Sequence, residues 1–177
     1  MSIYNSPFLL LCESHLDNQA WRETMADLPT WQGRYLANTT HPNSKEFGIL
    51  ISGEASTDIS EKVLEIPDLP QGALGLCLTI NNMDINIVLV HAPNKHPDRR
   101  SFFTTLENAL NAYENEQPFA LLGDFNCVES PRDRLPHRDQ DAGVKELQEL
   151  TNSSNVFNVW RKIGGTKSSV TYSQSNP

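Results

Sequence analysis

The apolar positions of this chain follow two periodicities that alternate along its length. Short apolar runs predict strands over residues 8–12, 47–51, 62–66, 74–80, 85–90, 119–122, 156–160 and 170–172. Helical spacing appears at Trp21, Met25 and Leu28, at Phe102, Phe103, Leu106, Leu110 and Tyr113, and at Val144, Leu147 and Leu150. Pro97 and Asp98 suit the start of the second helix, and Asp141 that of the third. Asn81-Asn82-Met83-Asp84 separates two strand-like runs and reads as a hairpin turn. Many strands, few long helices and a hairpin together predict mixed sheets with helices packed over them. Trp21, Met25, Phe103, Leu106 and Leu110 are then expected to face inward, against strands 8–12, 85–90 and 119–122.

A length of 177 residues suits one domain with a real core, spanning residues 1–177. The 22 acidic against 14 basic residues give a formal net charge of −8, which argues against a tight, non-specific nucleic-acid binder. Contact with nucleic acid through a local patch and a bound cation stays open. Cys12, Cys77 and Cys127 have no CxxC spacing, so they read as reduced thiols rather than a disulfide framework or zinc site. That implies an intracellular setting, cytoplasm or nucleus. The run 8–12 is too short to span a membrane and lacks the basic start of a signal peptide, so no membrane partner is expected.

Candidate chemistry concentrates where strands end. The run 119–122 follows Pro118 and is stopped by Gly123, and directly beyond it stand Asp124 and Asn126. A carboxylate and a carboxamide so placed can divide hydrolytic work, one moving a proton or holding a metal while the other fixes a phosphate oxygen. The same residues are ordinary turn formers, so the pattern alone also describes a surface turn. Similar layouts occur at 9–15, with Glu13 and His15, and at 87–94, with His91 and Asn94; the charged loop 132–138 holds Arg134. If neighbouring strands end on one rim, Glu13, His91, Asn94, Asp124 and Asn126 converge there. His15 reads as a structural or cleft-lining residue, and His41, His96 and His137 as solvated.

In this order and spacing the motifs resemble the endonuclease/exonuclease/phosphatase superfamily, metal-dependent phosphodiesterases related to pancreatic DNase I. Cys12-Glu13-Ser14-His15 looks like its Gln-Glu-Thr motif, Val90-His91-Ala92-Pro93-Asn94 is similar to its Tyr-Ala-Pro-Asn motif, and Gly123-Asp124-Phe125-Asn126 matches its Gly-Asp-Phe-Asn motif. Asp133-Arg134-Leu135-Pro136, Phe157-Asn158-Val159-Trp160-Arg161 and Val170-Thr171-Tyr172 look most like the endonuclease domain of fungal non-LTR retrotransposons. The resemblance covers about residues 6 to 175.

It implies an α/β, four-layer sandwich of two mixed sheets flanked by helices. It also implies Mg²⁺, or Mn²⁺ in its place, held by Glu13, with DNA as the substrate. Asp124 then orients or deprotonates the attacking water, Asn126 and His91 hydrogen-bond the phosphate, and Asn94 and Arg134 contact the substrate. Position 91 is His where the family usually has Tyr. The family's first, Asn-bearing strand and its terminal Ser-Asp-His segment have no counterpart in these residues, so the resemblance implies a fold lacking its first and last strands. The corresponding expectation is that this chain alone is inactive or nearly so. An inactive remnant, acting at most as a binding module, and a phosphodiesterase of another branch remain the alternative readings.

Overall fold

The structure is a computed structural model, described over residues 7–13, 15–36, 47–53, 58–113, 119–128, 134–135, 142–154 and 172–173. One sheet is antiparallel and built from β1 (Phe8–Leu11), β2 (Trp31–Tyr35) and β3 (Gly48–Ser52) in the order β1-β3-β2. The second contains β4 (Ile59–Leu64), β5 (Ala73–Ile80), β6 (Met83–His91) and β7 (Phe119–Asp124) in that order. Its pairings are antiparallel except for the parallel pair β6–β7, which is joined by helix α2 (His96–Ala112). A two-residue parallel pair links β8 (Arg134–Leu135) to β9 (Tyr172–Ser173).

Strand alternation divides the core into two. Leu74, Leu76 and Leu78 of β5 and Ile87 and Leu89 of β6 meet Phe8, Leu10, Ile49 and Ile51 of the first sheet. The opposite face, with Ala73, Val88 and Val90, is covered by Phe102, Phe103, Leu106 and Leu110 of α2 and by Leu147 and Leu150 of α3 (Val144–Ser153). Each fully buried aliphatic or aromatic side chain contributes about 1.5–3 kcal/mol. On the outer side of the first sheet lies α1 (Asn18–Ala26), whose Trp21 presses on Gly48 so closely that a Cβ there would stand 2.1 Å from the indole. The layers therefore run α1, sheet, sheet, α2 with α3. Asp17 caps α1 by accepting from the backbone N–H groups of Gln19 and Ala20 at 3.1 and 3.0 Å.

Several boundaries differ from the sequence expectation for identifiable reasons. The β5–β6 turn is only Asn81-Asn82, with φ of 50° and 61°, the geometry of a two-residue hairpin; Met83 and Asp84 already pair across the ladder. β4 runs from Ile59 to Leu64, because the chain bends where the Ile66 N–H bonds the Leu64 carbonyl (3.2 Å) ahead of Pro67. Ile66 still reaches the α2 core. Leu28 lies past the end of α1 and is exposed, Met25 is half-buried, and Trp21 is buried as expected but against Gly48 of β3 rather than against strands 8–12, 85–90 or 119–122. α3 begins at Val144, not Asp141, with Gly143 as its cap at φ 97°. β2 has no counterpart in the periodicity, since Gln32, Gly33 and Arg34 interrupt its apolar pattern. The strand expected at 156–160 lies outside the described residues, as does all of 170–172 except Tyr172.

Candidate functional site

The parallel strands β6 and β7 end side by side, His91 pairing in register with Asp124. Carboxyl ends of parallel strands form the crevice where α/β proteins place ligands. Gly123 makes this pairing feasible. Its φ is 141°, and a Cβ on it would fall 1.9 Å from the Val90 carbonyl oxygen. Beyond it the chain turns sharply. The Asn126 N–H donates to Asp124 Oδ1 (2.8 Å), Asn126 takes a left-handed φ of 49°, and its side-chain Nδ2 donates to the Ala92 carbonyl (2.6 Å). The Ala92 N–H in turn donates to the Asp124 carbonyl (2.8 Å). The turn after β7 is thereby locked to the residue after β6.

Glu13 arrives from the other sheet. The Cys12 thiol donates towards the Val90 carbonyl (3.8 Å), laying the end of β1 over the end of β6. Glu13 takes a φ of 52°, and its Oε1 meets His91 Nε2 at 3.0 Å. The imidazole is largely sunk, its side chain 17% exposed, while the carboxylate is half open at 50%. Four sequence-selected residues, Glu13, His91, Asp124 and Asn126, are thus joined through direct contacts. Asn94 lies exposed between β6 and α2, three residues beyond His91. Arg134 enters the β8–β9 pair through its backbone.

One residue of this region is absent from the sequence reading. Arg99, in the first turns of α2, is only 3% exposed. Its Nε donates to the Ala142 carbonyl (2.9 Å) and its NH1 to the carbonyl of Asn126. Its aliphatic stem lies against Gly143, where an added Cβ would come within 3.2 Å of it. A signal was present: Arg99 precedes Phe103, Leu106 and Leu110 by 4, 7 and 11 positions, on the buried stripe of the helix.

No family profile matches the chain. The Transposon TX1 uncharacterized 149 kDa protein of Xenopus laevis is 25% identical over 142 residues, which are 80% of this chain and 11% of that protein. Among solved structures, D. rerio TDP2 complexed with single strand DNA product superposes with a TM-score of 0.50 at 11% identity, over 94% of this chain and 60% of its own. A functionally unknown conserved protein from Enterococcus faecalis V583 gives 0.52 at 14% identity, over 81% of this chain and 57% of its own. The chain has a DNase I-like fold. It spans 11% of the transposon protein and less than two thirds of either solved structure.

On this DNase I-like frame the donor set fits a hard divalent cation. Such an ion takes one or two carboxylates and leaves its other positions to water and phosphate. Glu13 offers an accessible carboxylate at the strand-end crevice. Among the described residues no group of three or more His, Cys, Asp and Glu side chains is placed to hold a metal ion, so Glu13 would act with few protein ligands beside it. Among them, too, no helix is long and apolar enough to cross a membrane.

Proposed function

We propose that this domain hydrolyses phosphodiester bonds, with DNA as substrate, as a nicking endonuclease of a retroelement. The observation that carries the reading is the convergence of Glu13, His91, Asp124 and Asn126 from three strands on two sheets. The transposon relative supports the retroelement setting, and the DNase I-like fold supports phosphodiester chemistry.

In this reading Glu13 holds the cation, which stabilises charge on the phosphoryl oxygens and leaving group when bound. Asp124 Oδ1 is occupied by the Asn126 N–H, which fixes the carboxylate and leaves its other oxygen to orient or deprotonate the attacking water. Asn126 spends one amide hydrogen on the Ala92 carbonyl and turns the second to a phosphate oxygen. His91 serves the same rim from β6, and Asn94 and Arg134 contact the nucleic acid beyond the scissile bond.

The test is nicking of supercoiled plasmid by the 177-residue protein and by a version extended at both ends, each with Mg²⁺ or with a chelator. Nicking that needs the cation and is lost in Asp124→Ala and Glu13→Gln supports the reading. Cation-dependent nicking indifferent to both substitutions overturns it.

A further inference from the structure

Glu13 Oε1 and His91 Nε2 stand at ion-pair distance, a spacing that also suits two ligands of one cation. Two neighbouring ligands at about 2.1 Å from one octahedral cation stand roughly 3 Å apart. The two atoms here are separated by 3.0 Å and come from different sheets. Both are held in place by backbone. His91 is the last residue of β6, its N–H donating to the Gly72 carbonyl at 2.7 Å and its neighbour in register being Asp124. Glu13 sits at a left-handed φ that aims the chain out of β1. The half-open carboxylate gives an ion access from solvent, and the imidazole beside it is largely buried.

The kind of ion follows from the atoms. Mg²⁺ demands oxygen ligands and gives up its waters reluctantly, so an imidazole contributes little to holding it. First-row transition metals accept imidazole nitrogen and carboxylate oxygen together. We propose that Glu13 and His91 jointly bind a first-row divalent transition metal of the Mn²⁺ class in preference to Mg²⁺, the remaining positions being filled by water or by phosphate oxygens. The inference rests on the reading of Glu13 as a metal ligand and adds to it the His at position 91 and the preference it imposes.

The test uses Mn²⁺ alone as probe, with the full 177-residue protein and no nucleic acid. Loss of the free Mn²⁺ resonance in electron paramagnetic resonance gives the affinity, and Mg²⁺ competition gives the preference. Electron spin-echo modulation then reports whether a ¹⁴N nucleus is bound directly to Mn²⁺. The expected result is binding that Mg²⁺ displaces only in excess, with ¹⁴N modulation in the unsubstituted protein. In His91→Tyr the modulation is lost and Mn²⁺ affinity falls by about tenfold or more, with Mg²⁺ affinity unchanged.

Binding that requires Glu13 but shows no ¹⁴N modulation, or that is equal in His91→Tyr, overturns the proposal and leaves the phosphodiesterase reading standing. Tighter binding of Mg²⁺ than of Mn²⁺ overturns it in the same way. Metal binding indifferent to both Glu13→Gln and His91→Tyr overturns the proposal together with the assignment of Glu13. Because the modulation is read on the unsubstituted protein, the outcome does not depend on a variant that folds.

Discussion

Arg99 donates from α2 to the backbone carbonyl of Asn126, so the turn that follows β7 is held from behind by a buried guanidinium. The same group grips the carbonyl of Ala142 at the approach to α3. Replacing it with Met removes both bonds and leaves two half-buried carbonyls short of a donor, at about 1–3 kcal/mol each. Arg99→Met is expected to unfold at lower denaturant and to lose more nicking than its folded fraction explains. Arg99→Lys recovers part of each, because a single ammonium cannot span both carbonyls as the planar fork does. Chemical denaturation and nicking rates on the same preparations decide the matter.

Gly123 is the residue that lets β7 approach β6. Gly123→Ala forces a methyl group into the Val90 carbonyl at a φ that L-residues rarely adopt. The expected cost is about 2–5 kcal/mol, read as a fall in the unfolding midpoint. Asp17→Ala, which removes the N-cap of α1, should cost about 1 kcal/mol without touching Gly123 or the turn after it.

Asn126 combines a left-handed backbone with a side chain directed at the crevice, and two substitutions separate these roles. Asn126→Gly keeps the backbone at ease and deletes the amide; Asn126→Ala deletes the amide and adds a strain of about 1–2 kcal/mol. Stability should therefore rank the Gly variant above the Ala variant, while nicking is lost equally in both. Retained nicking in Asn126→Gly would reduce the residue to a turn former.

Cys77 lies on β5 opposite Lys62, on the face turned away from the first sheet. Burial pushes its thiol above the usual cysteine range, the Asp84 carboxylate adds to the rise, and Lys62 pulls the other way. Thiolate is the reactive form, so alkylation of Cys77 should be slow near pH 8 and accelerate as the pH climbs. Asp84→Asn lowers the thiol towards its ordinary value and should speed labelling at fixed pH, measured by peptide mapping. An unchanged rate would mean that burial alone sets the reactivity.

The parts legible in the sequence were those whose pattern is local. Leu74, Leu76 and Leu78 announce β5 by strict alternation, and Phe103, Leu106 and Leu110 announce α2 by helical spacing. The Gly-Asp-Phe-Asn turn was legible because one glycine and two short polar side chains satisfy the geometry within a few residues. β2 was hidden, since Gly33 and Arg34 join it by pairing with β3 rather than by their own pattern. The start of α3 was misplaced because Gly143 caps it through tight packing on Arg99, a partner far away in the chain. The Glu13–His91 contact belongs to the same class: each residue marks a strand end, but their meeting depends on how the two sheets dock.

That docking has a thermodynamic consequence. Glu13 is carried by one sheet and His91, Asp124 and Asn126 by the other, so any ligand that engages both acts as a rivet through the core between them. Mass action then links occupancy to folding: a ligand present at a hundred times its dissociation constant adds about 2.7 kcal/mol to the native state. The linkage runs both ways. A substitution at Leu76 or Leu89, both buried in that core, lowers the apparent affinity only once it is severe enough to populate the unfolded state, and then by the folded fraction. A rise in melting temperature on adding the ligand is therefore a direct reading of its occupancy across the two sheets.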